Sequence, residues 1–201
     1  EEVRSLCYEI ADQILNRFYC PELGIVVENI LPDGGLSDTF DGRLVVPGHA
    51  IEAMWFLMDL GDRFNEPDWV RHAASITHSM LDYGWDEEYG GLYYFMDRKE
   101  APPQQLEWSQ KLWWVHLEAA VALIKSYRWT GSEESFKWFM TLHDYNWDRF
   151  RDPEYPEWYG YLDRRGEVNL SLKGGKWKGC FHVPRGLFQI WQTLETIQAE
   201  N

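Results

Sequence analysis

The feature that most constrains this chain is a repeat of about 66 residues. Glu52-Ala53 follows His49, Glu118-Ala119 follows His116, and Arg185-Gly186 follows His182; the steps from Glu52 to Glu118 and on to Arg185 are 66 and 67 residues. Each mark opens a run that is apolar nearly all round, MWFLM, AAVALI and LFQIW. A helix apolar on every side is expected to be buried. Between these runs fall more charged, one-sided helical patterns that begin near residues 2, 67 and 132. The chain is therefore expected to alternate a buried and an outer helix three times. Repeated helical hairpins stack, each burying its face on the next. A curved stack of six closes into an (α/α)6 barrel, and the 201 residues here supply about half of one. The expected fold is all-α: one domain over residues 1–201, three hairpins, the C-terminal half of such a barrel. A shorter open array is the plainer alternative. The chain opens at Glu1 inside a helical pattern, which suggests residues upstream.

The individual elements follow from periodicity and punctuation. Val3, Leu6, Cys7, Ile10, Ile14, Leu15 and Phe18 recur at helical spacing over residues 2–18. Pro47-Gly48 closes a loop before a helix from about His49 to Arg63, and a second runs from Pro67 to Gly84. Trp113 to Trp129 is the next, ended by Thr130-Gly131, and Ser132 with Glu133 and Glu134 starts another, to about Phe150. The last spans about Pro184 to Gln198. YGGLYYFMD at 89–97 and EWYGYLDRRGEVN at 157–169 read as short β-hairpins.

Charge and cysteine usage exclude several functions. With 19 basic and 33 acidic residues the net charge is −14, the wrong sign for nucleic acid or an anionic membrane. Three cysteines in no zinc-binding spacing fit a reducing compartment, so a cytoplasmic location is expected. No run approaches the roughly 18 apolar residues of a membrane span. Twelve Trp suit helix packing and equally suit a carbohydrate site, where aromatic faces lie on sugar rings.

The chemistry concentrates in KGGKWKGCFHVPRGLF at 173–188, where Gly174, Gly175 and Gly179 leave room for a loop to lie close to a ligand. Trp177 and Phe181 add flat apolar faces, Lys176 and Lys178 add donors, and His182 stands at the mouth of a helix. His49 sits in a similar setting in VVPGHAIEAMWFL. These two histidines are expected to face each other across a sugar, with His116 sharing their rim. Cys180 reads as a small packing residue, and His72, His78 and His143 as solvated positions on outer helices.

The stretches PGHAIEAMW, KLWWVHLEA, DPEYPEWYGYLDRRGEV and LKGGKWKGCFHVPR resemble, in order and over nearly the whole chain, the N-acylglucosamine 2-epimerase (renin-binding protein) family. KGCFHVPR and WWVHLEA look more like this branch than like its cellobiose 2-epimerase relatives. The resemblance implies an (α/α)6 barrel and interconversion of N-acetylglucosamine and N-acetylmannosamine. It implies that His49 and His182 match the two acid/base histidines, and that Glu52, Trp114, Glu118 and Trp177 lie near the substrate. His116 and Arg185 complete the candidate substrate-binding set, His116 either touching the acyl group or merely packing. Further pocket residues, an arginine and another histidine, belong to the family's N-terminal half. A homodimer and activation by a nucleotide such as ATP are also implied.

Epimerising C2 of an aldose removes a proton beside a carbonyl and returns one on the other face. Two opposed bases of pKa near the working pH do this with no cofactor and no metal. No GxGxxG after a strand, Walker loop or HExxH occurs. Glu52, three positions after His49, favours an imidazolium there, and Arg185, three after His182, favours a neutral ring. His182 is thus expected to be the resting base and His49 the resting acid. The competing readings are an aldose–ketose isomerase or cellobiose 2-epimerase, a glycoside hydrolase using Glu52 and Glu118, and a non-catalytic partner-binding protein.

Overall fold

The computed structural model describes residues 1–200. It opens with helix α1 (Glu2–Gln13), which relaxes into a π-helical turn over Ile14–Phe18. Two short strands, β1 (Tyr19–Cys20) and β2 (Ile25–Val26), pair antiparallel, and a one-turn helix α2 (Phe40–Arg43) leads to β3 (Leu44–Val45). Then come α3 (Pro47–Phe64), α4 (Pro67–Gly84), β4 (Met96–Asp97), β5 (Lys111–Leu112), α5 (Trp113–Thr130), α6 (Glu133–Arg149), β6 (Tyr161–Leu162), β7 (Val168–Leu170) and α7 (His182–Glu200). None of these helices is long and apolar enough to cross a membrane.

The helices sort into an inner row, α3–α5–α7, and an outer row, α1, α4 and α6. In the inner row α5 packs against α3 on one side and α7 on the other. Outer α4 lies across α3 and α5, and α6 rests on α5. This is three hairpins of the six in an (α/α)6 barrel. Of the outer helices, α4 and α6 bury one stripe each. In α6 it is Ser135, Phe139, Leu142 and Asn146, and in α4 it runs from Val70 through Ala73, Thr77 and Met80 to Gly84. Local chemistry sets the joints. Gly131 closes α5 in the left-handed region at φ 68°, where glycine has no Cβ to clash. The next residue, Ser132, accepts the Ser135 N–H on its hydroxyl to cap α6.

Three expectations need correction. Of the inner helices only α5 is buried all round, continuously from Trp113 to Ser126. In α7 Phe188, Trp191 and Leu194 are exposed, because α7 has an inner neighbour on one side only. The stripe of α1 is likewise uncovered at Val3, Leu6 and Ile10; its hold on the fold comes from Tyr8, which stacks on Phe64 and donates to Glu66 Oε1 at 2.7 Å. Finally, residues 89–97 are not a hairpin. Gly90 and Gly91 turn the chain so that Trp85 bridges Leu92, and β4 crosses to pair with β3. The 157–169 segment does form its hairpin, β6 with β7, and β6 also pairs with β5.

These strands position the site. Strand β3 delivers the chain to the start of α3, and β5 runs directly into α5, so two inner helices begin on small sheets at one end of the row. The close crossing of α5 and α7 depends on Gly186, where an added Cβ would lie 2.6 Å from Leu117 Cγ. We expect Gly186→Ala to destabilise the fold by about 1–3 kcal/mol in urea unfolding, despite alanine's better helix propensity. Gly175→Ala, with nothing within 4 Å of the added atom, should change stability by no more than about 0.5 kcal/mol. Equal effects at the two positions would remove the role given to the crossing.

Candidate active site

The amino ends of α3, α5 and α7 converge on a cavity of about 410 Å³. His49, in the first turn of α3, and His182, the first residue of α7, both line it. Between them stands Trp114 of α5. Its ring centroid lies 5.2 Å from that of His49 and 5.7 Å from that of His182, so the two imidazoles can be no further apart than those distances combined. Trp113, Tyr94 and Tyr161 supply further aromatic wall, Glu107 and Gln110 the polar part, and Trp177 an exposed flap. Trp113 and Trp114, adjacent in sequence, thus both line the cavity. A larger cleft of about 650 Å³ between the 151–158 loop and α7 has no histidine in its wall. Cys180 lines that cleft and is exposed rather than packed.

Each histidine has its Nδ1 held by a carboxylate. His182 donates Nδ1–H to Glu118 Oε1 at 2.6 Å. Glu118 has no solvent exposure, and it also accepts Trp55 Nε1–H at 2.9 Å and a hydrogen bond from Arg185 Nη2. Arg185 reaches Glu52 Oε1 at 3.3 Å and lies over the rings of Trp55 and Phe181. Burial and the neighbouring Glu118 charge push the Glu52 carboxyl up, and Arg185 and His182 partly offset this. Ligand atoms of Glu52, Glu118 and His182 lie within 4.8 Å of one another. The guanidinium of Arg185 already bridges the two carboxylates, so a metal ion at this point would have to displace it.

His49 donates Nδ1–H to Glu28 Oε2 at 3.1 Å. That bond pushes its pKa up against the opposing effect of burial, and Glu52 adds a smaller push. The direction expected from Glu52 is right, but the main cause is Glu28, in the loop before α2. Nothing in the spacing of residues 28 and 49 announced it. His182 likewise takes its first partner from α5, 64 positions away, and not from Arg185 on its own helix. Among the described residues no hydrogen bond engages Nε2 of either ring.

The candidate substrate-binding residues separate into three groups. Trp114 and Trp177 line the cavity. Glu52, Glu118 and Arg185 lie just behind it, holding His182. His116 is removed altogether: it has no exposure, Nδ1–H is given to Leu112 O at 2.7 Å, and Nε2 accepts Leu92 N–H at 2.9 Å. Its ring stacks on Tyr145, and burial drives its pKa down to about 3. Gly91, φ 77°, lets the loop approach: a Cβ there would meet His116 Nε2 at 2.8 Å. His116 thus pins the 85–92 loop to α5. His78 is also not simply solvated; its Nε2 pairs with Ser135 Oγ at 2.7 Å.

A second buried anchor escaped the sequence reading. Lys111, with no exposure, donates to Asp86 Oδ2 at 3.1 Å, and Arg164 Nε donates to the same oxygen at 2.9 Å. Burial raises the Asp86 carboxyl, but its hydrogen bonds to Arg164 and Lys111 win and hold it well below the usual range. Burial brings Lys111 down to about 8. The signal available was Asp86 itself, which follows a helix end and accepts the Glu88 and Tyr89 N–H groups as a turn residue does. The cluster ties the 85–92 loop and the β6–β7 hairpin to the base of β5, and so braces the cavity wall.

The fold is that of about half of an (α/α)6 barrel. A D-mannose isomerase crystal structure superposes with a TM-score of 0.78 at 22% identity, over 92% of this chain and 49% of that one. Cellobiose 2-epimerase from Bacillus thermoamylovorans B4167 gives 0.76 at 19%, over 99% and 48%. The chain belongs to the N-acylglucosamine 2-epimerase family, whose profile matches residues 2–183. It is 44% identical to N-acylglucosamine 2-epimerase of Rattus norvegicus over 175 residues, 86% of this chain and 42% of the relative. The chain spans about half the length of the curated relatives it matches.

The neutral, buried His116 makes a prediction about stability. Its folded pKa is about 3, against roughly 6.5 in an unfolded chain. Below the unfolded value only the unfolded chain takes up this proton. The contribution of His116 is therefore whole above about pH 6.5 and is lost as pH falls towards the folded value, at up to about 1.4 kcal/mol per pH unit. Urea unfolding across this window should show a flatter acid limb for His116→Gln; identical slopes would contradict the assignment.

Proposed function

We propose that this site epimerises C2 of an N-acylated amino sugar, interconverting N-acetylglucosamine and N-acetylmannosamine, with His182 and His49 as the two acid/base groups. The observation that carries the reading is the pair itself. Two imidazoles flank one indole in one cavity, each with Nδ1 tied to a carboxylate and Nε2 without a protein partner. A carboxylate on Nδ1 fixes the tautomer and orients the ring, leaving Nε2 to exchange protons with substrate. With the sugar in its open-chain aldehyde form, His182 Nε2 takes the C2 proton and the bond's electrons move into the carbonyl, giving an enolate. His49 Nε2–H then protonates the opposite face of C2, and the electrons return to re-form the aldehyde. The aromatic walls hold the flat intermediate and keep water from it. Family membership and the 44% identity to the rat enzyme support the substrate.

An aldose–ketose isomerase is the second reading, favoured by the likeness to D-mannose isomerase. It begins with the same proton abstraction and returns the proton to C1. A glycoside hydrolase fits less well. Its two carboxylates must stand free on either side of the bond, whereas Glu52 and Glu118 are both bound to Arg185 and neither lines the cavity. Proton exchange in D2O separates these outcomes. With N-acetylmannosamine the full-length protein should place deuterium at C2 and yield N-acetylglucosamine. His49→Asn and His182→Asn should each lower epimerisation by more than about 100-fold. A ketose formed from mannose, which has a C2 hydroxyl, would transfer the assignment to the isomerase, and absence of C2 exchange with either sugar in the unchanged protein would sink both.

A further inference from the structure

The two histidines share a cavity, but their supports differ. His182 leans on a carboxylate that is wholly buried and already shared with Arg185 and Trp55. His49 leans on Glu28, which makes no other hydrogen bond or ion pair among the described residues. The Glu28 side chain is one-quarter exposed, and that of His49 is 56% exposed. One imidazole thus sits beside a carboxylate shared with an arginine and an indole, and the other beside a carboxylate with no other partner among the described residues.

Resting on the two-histidine reading above, we propose that Glu28 is a positioning residue that makes His49 the resting acid, fixing its Nδ1–H inward and holding the ring protonated so that Nε2–H is available to the cavity. The upward push on His49 agrees in sign. The other groups acting on or facing the ring are Glu52 in its own helix and Glu107, Tyr94 and His182 across the cavity. Tyr161 lines the same wall, and none of these groups is hydrogen-bonded to the ring; only Glu28 is.

The consequence concerns how the site resets. One turnover moves a proton from C2 to His182 and another from His49 to C2, leaving His182 protonated and His49 neutral. That form is ready for the reverse reaction. Another turnover in the same direction requires His182 to release its proton and His49 to regain one from water. The unshared charge of Glu28 draws the returning proton to His49, the more exposed of the two rings. The pair as a whole carries one proton when active, so kcat/KM falls on the alkaline side when that proton is lost, and this limb belongs to the pair.

The test is Glu28→Gln, which keeps size and an acceptor oxygen and removes the charge. The alkaline limb of kcat/KM should move to lower pH by about 0.5–1 unit, equally in both directions of reaction, and the His49 ring titration followed by NMR should move with it. Glu28→Asp, which keeps the charge, should recover at least half of the shift. A residue that merely stabilised the loop would lower activity and leave the limb in place. If the unchanged protein turns over and neither the limb nor the His49 titration moves in Glu28→Gln, the role of Glu28 is overturned. If the unchanged protein shows no C2 exchange, the two-histidine reading fails instead, and the ring titration still reports whether Glu28 governs the charge of His49.

Discussion

A carboxylate buried in the middle of α5 governs the arrangement of the inner helices. Glu118 has no exposure, and an isolated charge so placed would cost several kcal/mol. The fold answers it from both sides: the Trp55 indole from α3, and His182 with Arg185 from α7. Each partner must arrive at the correct rotation of its helix, so the charge fixes how α3 and α7 are turned against α5. Removing one partner of such a buried pair costs on the order of 3–5 kcal/mol. The same requirement that sets the packing therefore sets the ring that faces the cavity.

Much of this was legible in the sequence, and for physical reasons. A 66-residue step carried by His49, His116 and His182 marks three equivalent helix starts, because equivalent positions in stacked hairpins experience equivalent surroundings. Pro67, Gly131 and Ser132 marked real ends because each acts through its own backbone or through its immediate neighbours. What was not legible depends on contacts between distant segments. Glu28 reaches His49 from 21 positions away, and Lys111 reaches Asp86 from 25. No periodicity encodes such pairs. The hairpin placed at 89–97 failed for a related reason: β-propensity marked the strand but not its partner, which proved to be β3.

His116 shows where equivalence in the repeat misleads. It lies two residues before Glu118, whereas His49 and His182 lie three before Glu52 and Arg185, a rotation of about 100° on a helix, and both its nitrogens are spent on backbone groups. The difference lies in position along the stack. Helix α5 has inner neighbours on both sides, so a polar group at its start must be satisfied internally. At the starts of α3 and α7 the histidines open on the cavity, and at the start of α5 it is Trp113 and Trp114 that do so.

The same logic explains the surfaces left bare. The run LFQIW of α7 is apolar but for Gln189, yet Phe188 and Trp191 are half exposed while the AAVALI run of α5 is buried throughout. An apolar run on an inner helix is buried only where neighbours cover it. The cavity inherits that inequality: His182 is 20% exposed in its side chain and His49 56%.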